Sequence, residues 1–164
     1  MEEIIQSSRE EQGQSEGTAA SMPKRMIGAS TLHICINEEN EADEIYAGTI
    51  SGTALEETHE FASMQEMALL IDRLLDKIGR PQKSLADRDF KSDERKSTEY
   101  VGSPKLYHES EEILAVAGEL ATFDVIFQTR KHGTWQGLVL DTDGRRIDDF
   151  ASEIQLFELM RENM

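Results

Sequence analysis

Apolar residues recur along this chain with two different periods, and the places where the period changes mark its elements. Leu32, Ile34 and Ile36 alternate with His33, Cys35 and Asn37, the spacing of a strand with one buried face. Residues 45–51 read as a second strand beyond an acidic loop, and residues 57–61 are compatible with a third extended piece after a turn. The period then lengthens: Met67, Leu70, Ile71, Leu74, Leu75 and Ile78 form one stripe at helical spacing. Ser63-Met64-Gln65-Glu66 opens that stripe as a capping box, in which Ser63 accepts from the backbone of Glu66 and Glu66 reaches back to Ser63. Gly79 suits a left-handed cap, and Pro81 blocks continuation.

The plan returns in the last third. Phe123, Val125 and Phe127 alternate with Asp124, Ile126 and Gln128, and a tighter loop leads into a strand over residues 135–140. Asp141-Thr142-Asp143-Gly144 predicts a turn with left-handed geometry at its Asp-Gly step. Ser152-Glu153-Ile154-Gln155 is a second capping box, ahead of Leu156, Phe157, Leu159 and Met160. A shift of 89 residues lays Tyr46-Ala47-Gly48 on Trp135-Gln136-Gly137 and Phe61-Ala62-Ser63 on Phe150-Ala151-Ser152, with no insertion between them. Self-similarity at a fixed offset is the signature of a duplicated supersecondary unit. The expected fold is α+β: a duplicated strand-strand-helix unit forming one antiparallel sheet of four or more strands, with two helices packed on one face. One hairpin with one helix is marginal alone, so the two units are expected to form one domain, an internal dimer.

Around these units the expectations are a disordered acidic tail over residues 1–25, a first unit over 26–79, a flexible linker over 80–106 and a second unit over 107–164. The tail and the linker have no apolar period and cannot offset the entropy of ordering. Ahead of the second unit's first strand, Ser110-Glu111-Glu112 suits the start of a short helix, whereas the run from Ile113 to Ala117 suits a strand equally well; both readings stay open.

The strings Ala121-Thr122-Phe123, Phe127-Gln128, Thr134-Trp135-Gln136-Gly137 and Phe150-Ala151-Ser152 resemble a set of small uncharacterised proteins of anaerobic gut Firmicutes. These share an aromatic strand, a Trp-Gln-Gly step and a Phe-x-Ser helix entry. The resemblance covers roughly the last third of the chain, with a weaker echo in the first unit. No activity is attached to that set, so it implies neither catalytic residues nor a ligand, only that the strand-strand-helix unit is a recurring design.

Composition narrows the function. The net charge of −16 opposes non-specific nucleic-acid binding, which depends on Lys and Arg neutralising phosphates. The charge is uneven: Glu38, Glu39, Glu41, Asp43 and Glu44 make the first hairpin loop acidic, and Arg130, Lys131 and His132 occupy the corresponding place in the second. These are either two solvated loop tips or a complementary pair. No apolar run is long enough to cross a bilayer, the start lacks a secretory pattern and Cys35 is the only cysteine, which together lead us to expect a cytoplasmic protein.

Catalytic constellations are not legible. None of His33, His59, His108 and His132 has a second His or Cys at metal-ligand spacing, and Gly48-Thr49-Ile50-Ser51-Gly52 has Ile where a nucleophile elbow places its Ser. The glycines follow no phosphate-cradling pattern. No catalytic residue, cofactor or metal is expected. Trp135 reads either as a ring packed over Gly137 or as a stacking residue working with Arg130 and His132. Ile126, Leu138 and Leu140 give the second unit an apolar back where the first has His33, Cys35, Ala47, Thr49 and Ser51. Something must cover that back: the run from Ile113 to Ala117, a second copy or another protein.

The leading expectation is a non-catalytic protein-interaction or regulatory module, its candidate surface formed by Ile126, Leu138, Leu140, Arg130, His132 and Trp135. Its partner is an unidentified protein or a second copy, not a membrane or nucleic acid. The alternatives are a small-ligand binder or enzyme with a site between the repeats, and an acidic mimic of nucleic acid.

Overall fold

The computed structural model describes residues 24–40, 42, 45–84 and 101–164. Most of the expected tail and of the expected linker, with Phe90 and Tyr100, lies outside the described residues. Lys24 and Arg25, assigned to the tail by composition, are described and make specific bonds to later parts of the chain.

In the first half, β1 (Thr31–Asn40), β2 (Ile45–Ser51) and β3 (His59–Phe61) precede α1 (Met64–Ile78). After the two-residue β4 (Lys83–Ser84) and α2 (Ser110–Leu114), the second half runs β5 (Ala121–Lys131), β6 (Gln136–Leu140), β7 (Arg146–Phe150) and α3 (Glu153–Glu162). The fold is α+β, with three helices and one six-strand antiparallel sheet in the order β3-β2-β1-β5-β6-β7. β4 lies parallel to the end of β5. Each half thus has three strands before its helix, not two. The third strands are short and carry Glu60, Asp148 and Asp149 at the two edges of the sheet. Charges that guard an edge against further pairing also break the apolar alternation by which a strand is recognised.

The register explains the recurring glycines. Gly48 lies opposite Ile36 and Phe61, and Gly137 opposite Phe127 and Phe150. An added Cβ would fall 1.8 Å from the Cys35 carbonyl oxygen at Gly48 and 1.9 Å from that of Ile126 at Gly137. Neighbouring backbone therefore excludes any side chain at both positions. The ring over Gly137 is that of Phe150, whose Cζ is 3.0 Å from the added Cβ; Phe150 takes the place that residue spacing suggested for Trp135. A bulge follows in both central strands, between Ile36 and Glu38 in β1 and between Phe127 and Thr129 in β5.

The core lies between the sheet and helices α1 and α3, as one cluster drawn from both halves. Leu32, Ile34 and Ile36 of β1 and Phe123, Val125 and Phe127 of β5 face Met67, Ile71, Leu74 and Leu75 of α1 with Leu156 and Met160 of α3. Leu70 and Leu159, expected in the same packing, sit at its margin. Residues 107–120 run over the other face. Tyr107 and His108 donate backbone N–H to the Thr53 carbonyl, Ile27 donates to Ser110 Oγ, and Leu120 donates to the Ile36 carbonyl. The open choice over residues 109–118 becomes a short helix followed by irregular chain. Beyond Leu114 the chain spends its polar groups on the sheet, with Gly118 N–H bonding Thr122 Oγ1 at 2.8 Å. No helix among the described residues is long and apolar enough to cross a membrane.

Both helices start as their capping boxes require. Ser63 Oγ accepts from Glu66 N–H at 3.1 Å, and Ser152 Oγ from Gln155 N–H at 3.2 Å. The return bonds go one residue further back than the usual box: Glu66 accepts from Ala62 N–H and Gln155 from Ala151 N–H, each at 2.7 Å. α1 ends on Gly79 at φ 80°. Ser63→Ala and Ser152→Ala are each expected to lower stability by about 0.5–2 kcal/mol, the usual cost of an N-cap. Urea denaturation of the two variants checks this, and a silent pair would remove the caps from the account.

Candidate functional site

Arg130 closes β5, where the sequence suggested a solvated loop tip. Its side chain is only 1% exposed. Nε donates to the Pro81 carbonyl at 2.8 Å, Nη1 to Asp72 at 3.2 Å and Nη2 to Asp76 at 2.7 Å. Asp72 and Asp76 are one turn apart on α1, so the planar guanidinium reaches both. Burial alone would push the Asp72 carboxyl up; Lys83, Arg130 and the Trp135 indole outweigh it and hold it below the usual range. Arg130 therefore pins the end of β5 to α1, and its acidic partners are helical residues, not the first hairpin loop. A buried cation lacks a pattern of its own; the one legible signal is the Asp72/Asp76 pair at i,i+4 in α1.

Trp135 is buried with its ring edge-on to Phe127 and Phe157, at centroid distances of 5.7 and 6.4 Å. This is core packing. His132 is exposed in the tight turn after β5, at φ 57°, followed by Gly133 at φ 73°. Two left-handed residues in succession, closed by Thr134 N–H to the Lys131 carbonyl at 3.0 Å, match the twist of the flanking strands. The candidate surface residues thus divide. Arg130 and Trp135 lie inside, His132 lies at the turn, and Ile126, Leu138 and Leu140 are half-buried on the sheet face away from α1 and α3. Thr31, Ile126, Leu138 and Asp149 are neighbours across that face, as are Asp124, Leu140 and Arg146. An Arg146–Asp149 ion pair closes the outer end of both rows.

At the middle of the same face is a polar cluster that residue spacing did not single out. His33 and Asp124 face each other across the central strand pair, 2% and 1% exposed, with Nδ1 2.6 Å from Oδ1. His33 Nε2 is 2.6 Å from the Val116 carbonyl oxygen, and Arg25 donates to the other Asp124 oxygen at 2.6 Å. A carbonyl and a carboxylate can only accept, so both ring nitrogens carry hydrogen and His33 is an imidazolium. Burial opposes that charge. The bonds to Asp124, Cys35 and Val116 outweigh burial and raise the ring's pKa from 6.5 to about 10. Both ring nitrogens of His33 and both oxygens of Asp124 are bonded inside the protein, which suits a structural joint. A signal was present: His33 stands between Leu32 and Ile34 as Asp124 stands between Phe123 and Val125.

One further concavity lies at the junction of the halves, a cleft of about 350 Å³. Ser30, Arg80, Pro81 and Gln82 form one wall and the end of β5 from Phe127 to Lys131 the other. The register shows why it exists. β1 pairs with β5 only as far as Thr31 opposite Ile126, and β4 begins opposite Arg130, which leaves the intervening part of β5 without a strand on the edge away from β6. The chain matches no protein-family model, no curated protein and no solved structure.

The raised pKa of His33 sets the sign of a pH dependence. Its contribution to stability is complete below about pH 6.5 and is lost as pH rises towards 10. Chemical denaturation across that window should show falling stability in the native protein and a flatter profile in His33→Gln. Parallel profiles would mean that the ring is neutral in the folded state.

Proposed function

We propose that this protein is a non-catalytic interaction module, built from a duplicated unit, that binds a partner protein through the second half of the sheet's open face. The observation that carries this reading is a division of labour on that face. Its charged groups, His33, Asp124 and Arg25, are satisfied by one another and by Val116, whereas Ile126, Leu138 and Leu140 remain half-buried beside them. Apolar side chains between polar neighbours and a charged rim are the usual composition of a recognition patch. The chain over residues 107–120 makes polar bonds with β1, Thr122, the loop after β2 and the residues before β1, so the joint is covered while the β5–β6 apolar rows keep part of their surface.

Duplication is supported by register. Counting from the residue opposite each glycine, Ile36 corresponds to Phe127, Ile34 to Val125 and Leu32 to Phe123, each 91 residues on. The bulges and the N-caps coincide as well. His33 and Asp124 are then equivalent positions that face each other, as residues on a local twofold axis would. A homodimer of one unit would place two identical side chains there; fusion allows a cation to meet an anion.

A second reading, a small-ligand binder between the halves, is favoured by the cleft beside Arg130.

The double variant Leu138→Ser with Leu140→Thr tests the first reading. It should leave the melting temperature almost unchanged while removing self-association, or a partner co-purified from the native host. A loss of a few kcal/mol with unchanged association would assign the pair to internal packing instead.

A further inference from the structure

We propose that residues 107–116 form a lid over the His33–Asp124 joint, that this lid opens while the sheet stays folded, and that a proton on His108 favours its closed state. The lid covers buried chemistry. His33, Cys35 and Asp124 beneath it are at most 2% exposed, and the Val116 carbonyl oxygen stands 2.6 Å from His33 Nε2 and 3.8 Å from Cys35 Sγ. Yet little apolar burial holds it down: Ile113 is its one buried residue, whereas Tyr107 and Val116 are exposed. The rest of its grip is polar. Tyr107 and His108 donate backbone N–H to the Thr53 carbonyl, Ile27 N–H donates to Ser110 Oγ, and Glu111 pairs with the exposed Lys24. A segment with few buried apolar contacts and bonds open to solvent belongs to the least stable part of a fold. The other end is fastened differently. The N–H groups of Gly118, Glu119 and Leu120 bond Thr122 Oγ1, Asn37 Oδ1 and the Ile36 carbonyl at 2.8, 3.1 and 2.9 Å, so the chain after Ala117 is the fixed end of the lid.

His108 supplies the proton dependence. Its Nε2 is 3.0 Å from the Glu56 carbonyl oxygen and its Nδ1 3.1 Å from the Glu112 carboxylate. Both partners only accept, so the closed lid holds an imidazolium that ties it to the loop after β2. The Glu56 carbonyl and then Glu112 raise the ring's pKa above 6.5. The charged residues on the two stretches that meet at this ring are acidic: Glu109, Glu111 and Glu112 on the lid, Glu56 and Glu57 on the loop. Lys105, just before the lid, lies over the Tyr107 ring at 4.8 Å. A raised pKa means that the ring's contribution to closure is complete below about pH 6.5 and is lost as pH rises through the folded value. His33, raised to about 10, stays charged across the neutral range. Opening joins the β1 part of the face to the apolar rows of β5 and β6, and only that consequence rests on the interaction reading.

Cys35 is the only cysteine, so its alkylation by iodoacetamide reports opening in the full chain with no partner present. Protection is the alkylation rate of the urea-unfolded chain divided by that of the native protein at the same pH, a ratio that cancels the thiol's own titration. At pH 6 we expect protection at least about tenfold below the global folding constant, as local opening requires. It should be unchanged by low urea and by Ser63→Ala, which weakens the fold through the start of α1. From pH 6 to 8 protection should fall about twofold or more, the scale of an exposed charge-assisted contact. In His108→Gln it should be lower at pH 6 and level across that range. Ile113→Ala should lower it about tenfold or more, the usual consequence of truncating a buried aliphatic side chain. The proposal is overturned if protection equals the global folding constant, if it follows the stability of Ser63→Ala, or if Ile113→Ala leaves it unchanged. A level profile in the native protein, or a native profile in His108→Gln, overturns it equally. The Leu138/Leu140 double variant should keep the native profile, so failure of the lid and failure of the interaction reading are read separately.

Discussion

The pairing of β1 with β5 joins the two halves, and at its centre two opposite charges are buried against each other. His33 and Asp124 are almost fully enclosed, with Nδ1 2.6 Å from Oδ1. Removing one partner from such a pair strands the other in a medium that solvates it poorly, at a typical cost of about 3–5 kcal/mol. Arg25 and the Val116 carbonyl bond the two residues from either side, so the joint also draws in the chain before β1 and the chain after α2. The charge pair thus organises three separate stretches of sequence around one register. Strands slipped by one residue would place His33 opposite a residue unable to answer it, which makes the pair a device for specificity as much as for stability.

The helical face follows the same logic with different groups. Arg130 fastens the end of β5 to α1 through Asp72 and Asp76, while Phe127, Trp135 and Phe157 pack edge-on between sheet and α3. Polar pins at the margins and apolar packing between them leave the two helices little freedom relative to the sheet. The surfaces these interactions leave open are the half-buried apolar rows on the far face and the cleft where β5 outruns β1.

Elements defined by local physics were legible. α1 begins at its Ser63 cap and ends on Gly79, and α3 begins at Ser152, because capping is a contest among neighbouring backbone groups that sequence spacing records. The first two strands of each half and the Gly144 turn were legible through alternation and the need for a left-handed residue, Gly144 standing at φ 81°. The short edge strands β3 and β7 were not fully legible, since charge at an edge disguises the alternation. The placement of Ile126, Leu138 and Leu140 on one sheet face was legible, because strand alternation is a local property.

The sequence by itself determined where α1 starts and stops, where α3 starts and which strand faces are apolar. Only the tertiary structure decided that His33 meets Asp124, that Arg130 turns inward to α1, that Phe150 covers Gly137 and that a cleft opens at the junction. Each of these joins residues at least 13 positions apart, and in most cases on different halves. The physical reason is one of range. Capping and periodicity depend on neighbours within a turn or two of chain, whereas a charge can be buried only if its partner arrives from elsewhere in the fold.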